Sequence, residues 1–241
     1  MNMKNKIFFV ATIGFFFLSF SAFSKYYENS EVKNCVEKEF VCDLNGNKLT
    51  GVVKNYYKDG ILFSEVPYKE GLIEGEVKGY YPNESIHMIA PFKSSKLDGV
   101  LKVFYETQEV QLEKHFENGV AEGIEKAYYK NGQLRNTVSF HKGLKEGIAI
   151  FYNENGSLMF EENYLNSLLT GIKKVYDEKG ELVLTAEYEN NKLNGLLILY
   201  EQKEEAVRIV FENGKAIEGY IKQRKVSSQE LIELTKKIPV F

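Results

Sequence analysis

The sequence predicts an all-β protein: an elongated antiparallel β-meander of stacked 24-residue hairpin repeats, with a short C-terminal capping helix. Three observations predict this fold. Glycines recur at a constant interval of 24, aromatic residues follow them at fixed distances, and turn residues separate runs rich in Val, Ile, Tyr and Phe. The repeat glycines are Gly51, Gly75, Gly99, Gly123, Gly147, Gly171, Gly195 and Gly219.

The start of the chain has the order typical of a secretory signal peptide: two lysines, a charge-free apolar run over 7–23, and small residues at Ala22 and Ser24. This order predicts cleavage after residue 24 and export to the periplasm, the exterior or the cell surface. The apolar run has 17 residues, so an uncleaved membrane anchor is the alternative.

Residues 25–50 are predicted to form a degenerate N-terminal capping repeat. Counted back 24 residues from Gly51, Phe40, Cys42 and Leu44 occupy core positions of a hairpin. In an oxidising compartment Cys35 and Cys42 are expected to form a disulfide that staples this segment, and two free thiols are the alternative. Neither cysteine has the sequence context of a catalytic thiol.

Residues 51–218 are predicted to form seven hairpin repeats. Each repeat glycine is position 0, and other positions are counted from it. A three-residue loop at +7 to +9 places +5 opposite +11, since side chains alternate along a strand. The aromatic ladder at +5 comprises Tyr56, Tyr80, Phe104, Tyr128, Tyr152, Tyr176 and Tyr200. We expect it to share a face with the aromatic residues at +17 and to form mainly core, an exposed ligand-binding stripe being the alternative.

Residues 219–241 are predicted to cap the other end of the array. Ser227 and Glu230 have the spacing of a capping box and precede an apolar run. This pattern predicts a short helix over about 228–237 that covers the last strands.

The unit of glycines, aromatic and aliphatic positions is best displayed between Gly123 and Gly147, as GIEKAYYKNGQLRNTVSFHKGLKEG. It resembles the MORN repeat, and most closely the bacterial variant form of that repeat. The resemblance extends over residues 51–219 and departs from the pattern where Glu84 and Gln108 replace a turn glycine. It implies stacked hairpins with roles in binding or scaffolding, and some bacterial relatives are labelled antitoxins.

Chemistry-bearing residues are spread along the array rather than gathered. Lysines recur at +3, where they suggest either an anion-binding ladder or, as we prefer, a solvated row neutralised by acids at −1. The three histidines lack ligand spacing, so no metal site, cofactor or catalytic centre is indicated. The +3 lysines are Lys54, Lys78, Lys102, Lys126 and Lys174, and the histidines are His87, His115 and His141.

One localised binding site is predicted from the second aromatic position of the first strand. Tyrosines occupy +6 only in the first four repeats, as Tyr57, Tyr81, Tyr105 and Tyr129. A purely structural position would be filled in every repeat. We therefore expect these four rings to contact a partner, on the face opposite the +5 ladder.

The sequence favours an exported, non-enzymatic module for protein binding, adhesion or scaffolding at a bacterial envelope or exterior. A net charge of −3 argues against nucleic acid as the partner. No small-molecule substrate is indicated, and membrane contact is neither indicated nor excluded. An immunity or antitoxin protein that occludes a toxin is one alternative. An outer-membrane barrel is a weaker one, because the first strands span about six residues and include lysine, whereas membrane strands need about 9–11.

Overall fold

The computed structural model describes residues 32–34, 40–43 and 45–238. Its strands and helix, in chain order, are β1 Val32–Asn34, β2 Val41–Asp43, β3 Gly51–Tyr56, β4 Leu62–Lys69, β5 Leu72–Ile73, β6 Gly75–Tyr80, β7 Ile86–Lys93, β8 Lys96–Leu97, β9 Gly99–Phe104, β10 Val110–Glu117, β11 Val120–Ala121, β12 Gly123–Tyr128, β13 Leu134–His141, β14 Leu144–Tyr152, β15 Leu158–Leu165, β16 Leu168–Tyr176, β17 Leu182–Glu189, β18 Lys192–Glu201, β19 Glu204–Glu212, β20 Lys215–Ile221, β21 Arg224–Lys225 and α1 Ser228–Lys237.

The strands from β3 to β21 form one open, antiparallel 19-strand meander in which the order of strands follows the chain. The predicted all-β fold with a single short C-terminal helix is therefore confirmed. The domain boundaries that the sequence suggests stay predictions, and the signal-peptide segment, residues 1–24, lies outside the described residues.

The hairpin loops have the predicted three residues. In the first repeat the N–H of Tyr57 donates to the carbonyl of Ile61, and the N–H of Gly60 donates back to Tyr57. Gly60 has φ +88°, the left-handed conformation that ends such a loop. Glu84 and Gln108 adopt positive φ at the same place without being glycine, at 66° and 77°. The turn geometry is thus kept where the turn glycine is missing.

A β-bulge next to each loop corrects the predicted arrangement of faces. Tyr56 pairs with Leu62 as expected, but the next pair is Asn55 with Ser64, so Phe63 is the extra residue. The extra residue moves +13, +15 and +17 to the face opposite +5. The same shift recurs in all seven hairpins. The prediction that +5 and +17 share a face is therefore wrong.

The two faces of the sheet have different characters. Positions +2, +4, +13, +15 and +17 form the inner face, which holds the buried residues of both apolar clusters, whereas +1, +3, +5, +14 and +16 form the outer face. One cluster, which includes Val77, Leu101 and Phe116, lies in the first half of the array, and the other, which includes Leu197 and Ile209, lies near its end. The seven residues of the +5 ladder belong to neither cluster, and Tyr56 is 44% exposed.

Residues before the array extend the stacking of its loops. The N–H of Gly71 donates to the carbonyl of Leu49, and Val41 donates to Gly71. Leu49 thus occupies the place that Ile73 takes one repeat later, where Ser95 donates to it. Cys42 is 2% exposed and disulfide-bonded. Cys35 and Leu44 lie outside the described residues, so the Cys35–Cys42 pairing stays a prediction.

The helix α1 begins at the predicted capping box and covers the last apolar cluster. Ser227 Oγ accepts from the N–H of Glu230, and the Glu230 carboxylate accepts from the N–H of Ser227. Leu231 and Leu234 pack against the cluster. Gly219 permits this approach, because a Cβ there would lie 2.8 Å from Leu231 Cδ1.

Removing the helix cap should detach α1 before the array unfolds. Ser227→Ala is expected to cost about 1 kcal/mol of helix stability, as the loss of an N-cap typically does. Hydrogen exchange at α1 amides should then quicken while exchange in the central strands stays unchanged. Ser228→Ala, one residue later, is the matched control. Equal protection of α1 in both variants would contradict a capping role for Ser227.

Acid should act on the same cap. A hydrogen bond from Arg224 and the backbone N–H of Ser227 lower the pKa of Glu230 from 4.5 to about 2. A carboxyl whose pKa is lower when folded stabilises the fold above its ordinary pKa and loses that effect as the pH falls towards the folded value. Exchange at α1 should therefore be constant above about pH 5 and accelerate selectively between about pH 4 and pH 2.

Candidate binding surfaces

The four tyrosines at +6 lie on the inner side and connect neighbouring repeats. Each hydroxyl donates to the backbone carbonyl of the +5 residue in the next repeat. The bonds are Tyr57 to Tyr80 (3.0 Å), Tyr81 to Phe104 (2.8 Å), Tyr105 to Tyr128 (2.8 Å) and Tyr129 to Tyr152 (2.7 Å). These bonds give the tyrosines a structural role that the sequence did not suggest, and their role in partner binding stays a prediction.

The last three repeats replace these tyrosines with residues that bond within their own turn. Asn153 Nδ2 donates to Ser157 Oγ, and the Asp177 carboxylate accepts from the N–H groups of Lys179 and Glu181. The restriction of tyrosine to four repeats therefore has a conformational explanation, which is that the described +6 side chains cap turns instead of bridging repeats.

Removing one bridging hydroxyl should weaken the array locally. Tyr129→Phe keeps the ring and loses one hydrogen bond, which is expected to cost about 1 kcal/mol. Denaturant unfolding should show this loss, and amide exchange should locate it at the junction of the fourth and fifth repeats. Tyr200→Phe is the control, since its hydroxyl lies at 3.5 Å from that of Thr185. Equal stability of the two variants would contradict the bridging role.

The outer face carries a regular set of paired polar groups. Glutamates at +14 occur in alternate repeats, as Glu65, Glu113 and Glu161. Each of these carboxylates lies within 3.3 Å of a lysine Nζ, from Lys54, Lys102 and Lys174 respectively. The lysine row is thus neutralised from +14, and the prediction that acids at −1 neutralise it is wrong.

The same glutamates accept hydrogen bonds from the +5 tyrosines of the following repeat. The hydroxyls of Tyr80, Tyr128 and Tyr176 lie 2.8, 3.3 and 3.0 Å from their glutamates. Burial and, next, the bond to Glu65 raise the pKa of Tyr80 to about 12. That bond and Lys54 lower the pKa of Glu65 in return. The outer face therefore repeats with a period of 48 residues, or two repeats.

The acids at −1 bind the second loops instead. Asp98 Oδ2 accepts from the N–H of Asn118 at 3.0 Å, and Glu74 and Glu122 make the equivalent bonds to Ser94 and Lys142. These carboxylates are committed to holding neighbouring loops together, since each accepts a backbone hydrogen that would otherwise lack an internal partner.

An exposed aliphatic row on the outer face was missed by the sequence analysis. Position +1 holds Val100, Ile124, Ile148 and Ile172 in four consecutive repeats, and these side chains are 42, 56, 53 and 44% exposed. We call these four residues the aliphatic row. The pattern was visible in the sequence, but an alternating strand with one buried face was expected to place polar residues there.

The second loops of the same repeats add further exposed aliphatic residues. Val120, Leu144 and Leu168 occupy +21 and are 44, 43 and 38% exposed. A shallow cavity of about 230 Å³ opens beside the row and is lined by Val100, Lys102, Glu113, Lys114, His115, Ile124 and Lys126. Exposed apolar residues are therefore concentrated in the third to sixth repeats.

The described part of the chain offers no metal site: it contains no group of three or more His, Cys, Asp or Glu side chains that could hold an ion. His87 is a half-buried neighbour of the Tyr81 ring, and burial lowers its pKa. His141 Nδ1 lies 2.9 Å from Glu122. No helix among the described residues combines the length and apolar character that crossing a membrane requires.

Comparison with known proteins identifies the repeat. A family described as MORN repeat variant matches residues 49–70, 73–94, 121–142 and 145–166. The four segments begin two residues before Gly51, Gly75, Gly123 and Gly147, so they have the phase of the glycine lattice. No curated protein matches the chain significantly. The chain is therefore a MORN-repeat protein, with the variant form of the repeat matched at four places.

Proposed function

We propose that this protein is an exported, non-enzymatic binding or scaffold module that holds a protein partner on the outer face of its array. MORN repeats generally serve protein or membrane binding. The observation that carries the proposal is the aliphatic row, because soluble monomers rarely expose a contiguous apolar patch unless it binds something.

The chemistry beside the row favours a protein over a polyanion. The lysines at +3 would attract phosphate or acidic sugars, but Lys102 and Lys174 are already paired with glutamates. Equivalent residues of successive repeats lie roughly 10 Å apart, since each repeat contributes two strands about 4.8 Å wide. The row therefore offers a flat apolar strip roughly 30 Å long with a largely neutralised polar margin, which suits a protein surface.

The test places charge in the middle of the strip. The double variant Ile124→Glu with Ile148→Glu should fold, since both side chains are more than half exposed, and its melting temperature should stay close to that of the wild type. Affinity capture from native envelope extract, with the chain from residue 25 onwards as bait, should lose its specific partner by at least tenfold. Ile217→Glu is the control, at an equally exposed position outside the row.

Each outcome has a clear meaning. Full capture by the folded double variant would remove the outer face as the binding surface. Binding of the bait to lipid vesicles, abolished by the same variant, would replace the protein partner with a membrane. Capture of a toxic enzyme that becomes inactive in the complex would favour the immunity function over a scaffold.

Export is the second part of the proposal, and it rests on the sequence of residues 1–24. The intact mass of the protein purified from its native envelope should correspond to a chain that begins at Lys25. A mass that includes residues 1–24 would make the protein membrane-anchored.

A further inference from the structure

The inner face contains two ion pairs where apolar residues are expected. Positions +15 and +2 of neighbouring repeats face each other across the inner side, as Val138–Ala149 and Ala186–Leu197 show directly. Val66–Val77 and Ala90–Leu101 continue this apolar series. At the two remaining junctions, the facing residues are Lys114–Glu125 and Glu162–Lys173.

Both ion pairs are close, and they are largely removed from water. Lys173 Nζ lies 2.8 Å from Glu162 Oε1, and the two residues are 5 and 8% exposed. Tyr164 donates to the second oxygen of Glu162 at 2.7 Å. Lys114 Nζ lies 2.8 Å from Glu125 and 3.6 Å from the centre of the Phe140 ring. Charges in such places need their partners, because burying one of them alone is costly.

The polarity of the second pair is the reverse of the first. Lysine is at +15 and glutamate at +2 in the Lys114–Glu125 pair, whereas glutamate is at +15 and lysine at +2 in the Glu162–Lys173 pair. Lys114 and Glu162 are 48 residues apart, and so are Glu125 and Lys173. The reversal therefore occurs over the same two-repeat distance at which the outer face repeats itself.

This coincidence bears on a problem of every repeat array, which is that wrong strands can pair. A shift by two repeats preserves the outer face, since Glu113 would meet Tyr176 and Lys174 in place of Tyr128 and Lys126. The same shift would bring Lys114 against Lys173 on the inner face. A shift by one repeat would bury Lys114 against Ala149 without a counter-charge.

We propose that the two inner-face ion pairs of opposite polarity select the correct order of repeats during folding and thereby keep the protein monomeric. Each charged member has one complementary partner among all the +15 and +2 residues of the array. Buried polar pairs are known to fix register in other assemblies, where they exclude competing arrangements rather than add stability.

The decisive variant changes polarity alone. Glu162→Lys with Lys173→Glu keeps an ion pair at the second junction but gives both junctions the same polarity, so the two-repeat shift becomes compatible. After dilution from denaturant, we expect several-fold more oligomer than wild type by size exclusion with light scattering, increasing with protein concentration. Adding Lys114→Glu and Glu125→Lys restores opposite polarity and should restore the monomer.

A second variant keeps the proposal testable if reversed charges prevent folding. Glu162→Ala with Lys173→Leu introduces the residues found at the Ala186–Leu197 junction. We expect an equal or higher melting temperature together with more oligomer after refolding, because stability and selection would be separated. Wild-type monomer yield from this variant, or from the same-polarity variant, would overturn the proposal.

Discussion

Replacing Lys173 alone with alanine is expected to lower the free energy of unfolding by about 3–5 kcal/mol, the cost of leaving a buried charge without its partner. Glu162 would remain 8% exposed in the wild-type geometry, facing an apolar side chain. The loss should appear as a lower urea midpoint, with amide exchange accelerated first in the fifth and sixth repeats, because repeats are stabilised mainly by their neighbours.

An exposed ion pair provides the control for this prediction. Lys54 and Glu65 are 3.1 Å apart, but the Lys54 side chain is 53% exposed. Lys54→Ala should therefore cost less than about 1 kcal/mol. Glu162→Ala combined with Lys173→Leu should recover most of the loss. Equal losses for Lys173→Ala and Lys54→Ala would show that burial does not govern the strength of these pairs.

Replacing Phe116 with alanine is expected to cost about 3–5 kcal/mol, because a fully packed aromatic side chain would leave a cavity. Phe116 is 4% exposed and belongs to the inner cluster of the first repeats. Tyr128→Ala, on the outer face, should cost roughly 1 kcal/mol, the loss of a hydrogen bond to Glu113 and of partial burial. Thermal melting of the two variants measures the difference.

This pair of variants also tests the assignment of faces. If the +5 ring lay in the core, as the sequence suggested, Tyr128→Ala would be as damaging as Phe116→Ala. A larger loss for Tyr128→Ala would contradict the position of the bulge. The comparison is internal to neighbouring repeats, so differences in the length or position of strands contribute little.

The repeat period, the three-residue loops and the capping helix could be predicted from the sequence because short-range chemistry determines them. A glycine at +9 closes each loop locally, and Ser227 with Glu230 satisfies the first turn of a helix within four residues. Both signals act within the segment that displays them.

The assignment of faces could not be predicted in the same way. The bulge that opposes Phe63 and its equivalents to no residue depends on how two strands pair, and a one-residue shift exchanges the faces. The hydroxyl bonds of the +6 tyrosines connect residues 23 apart, so only the stacked structure brings donor and acceptor together. The aliphatic row and the Lys114–Glu125 pair were visible as letters, but they break the expected alternation.

The bonds at the two edges of the ribbon differ along its length, and this has a mechanical consequence. Along the second-loop edge, backbone bonds such as Ser95 to Ile73 and Asn191 to Leu169 continue through both halves. Along the hairpin edge, the tyrosine bridges stop at Tyr152. A strip clamped on both edges resists flexing, whereas a strip clamped on one edge can fan open at the other. The protein should therefore behave as a rigid rod over its first four repeats and as a compliant spring over the last three.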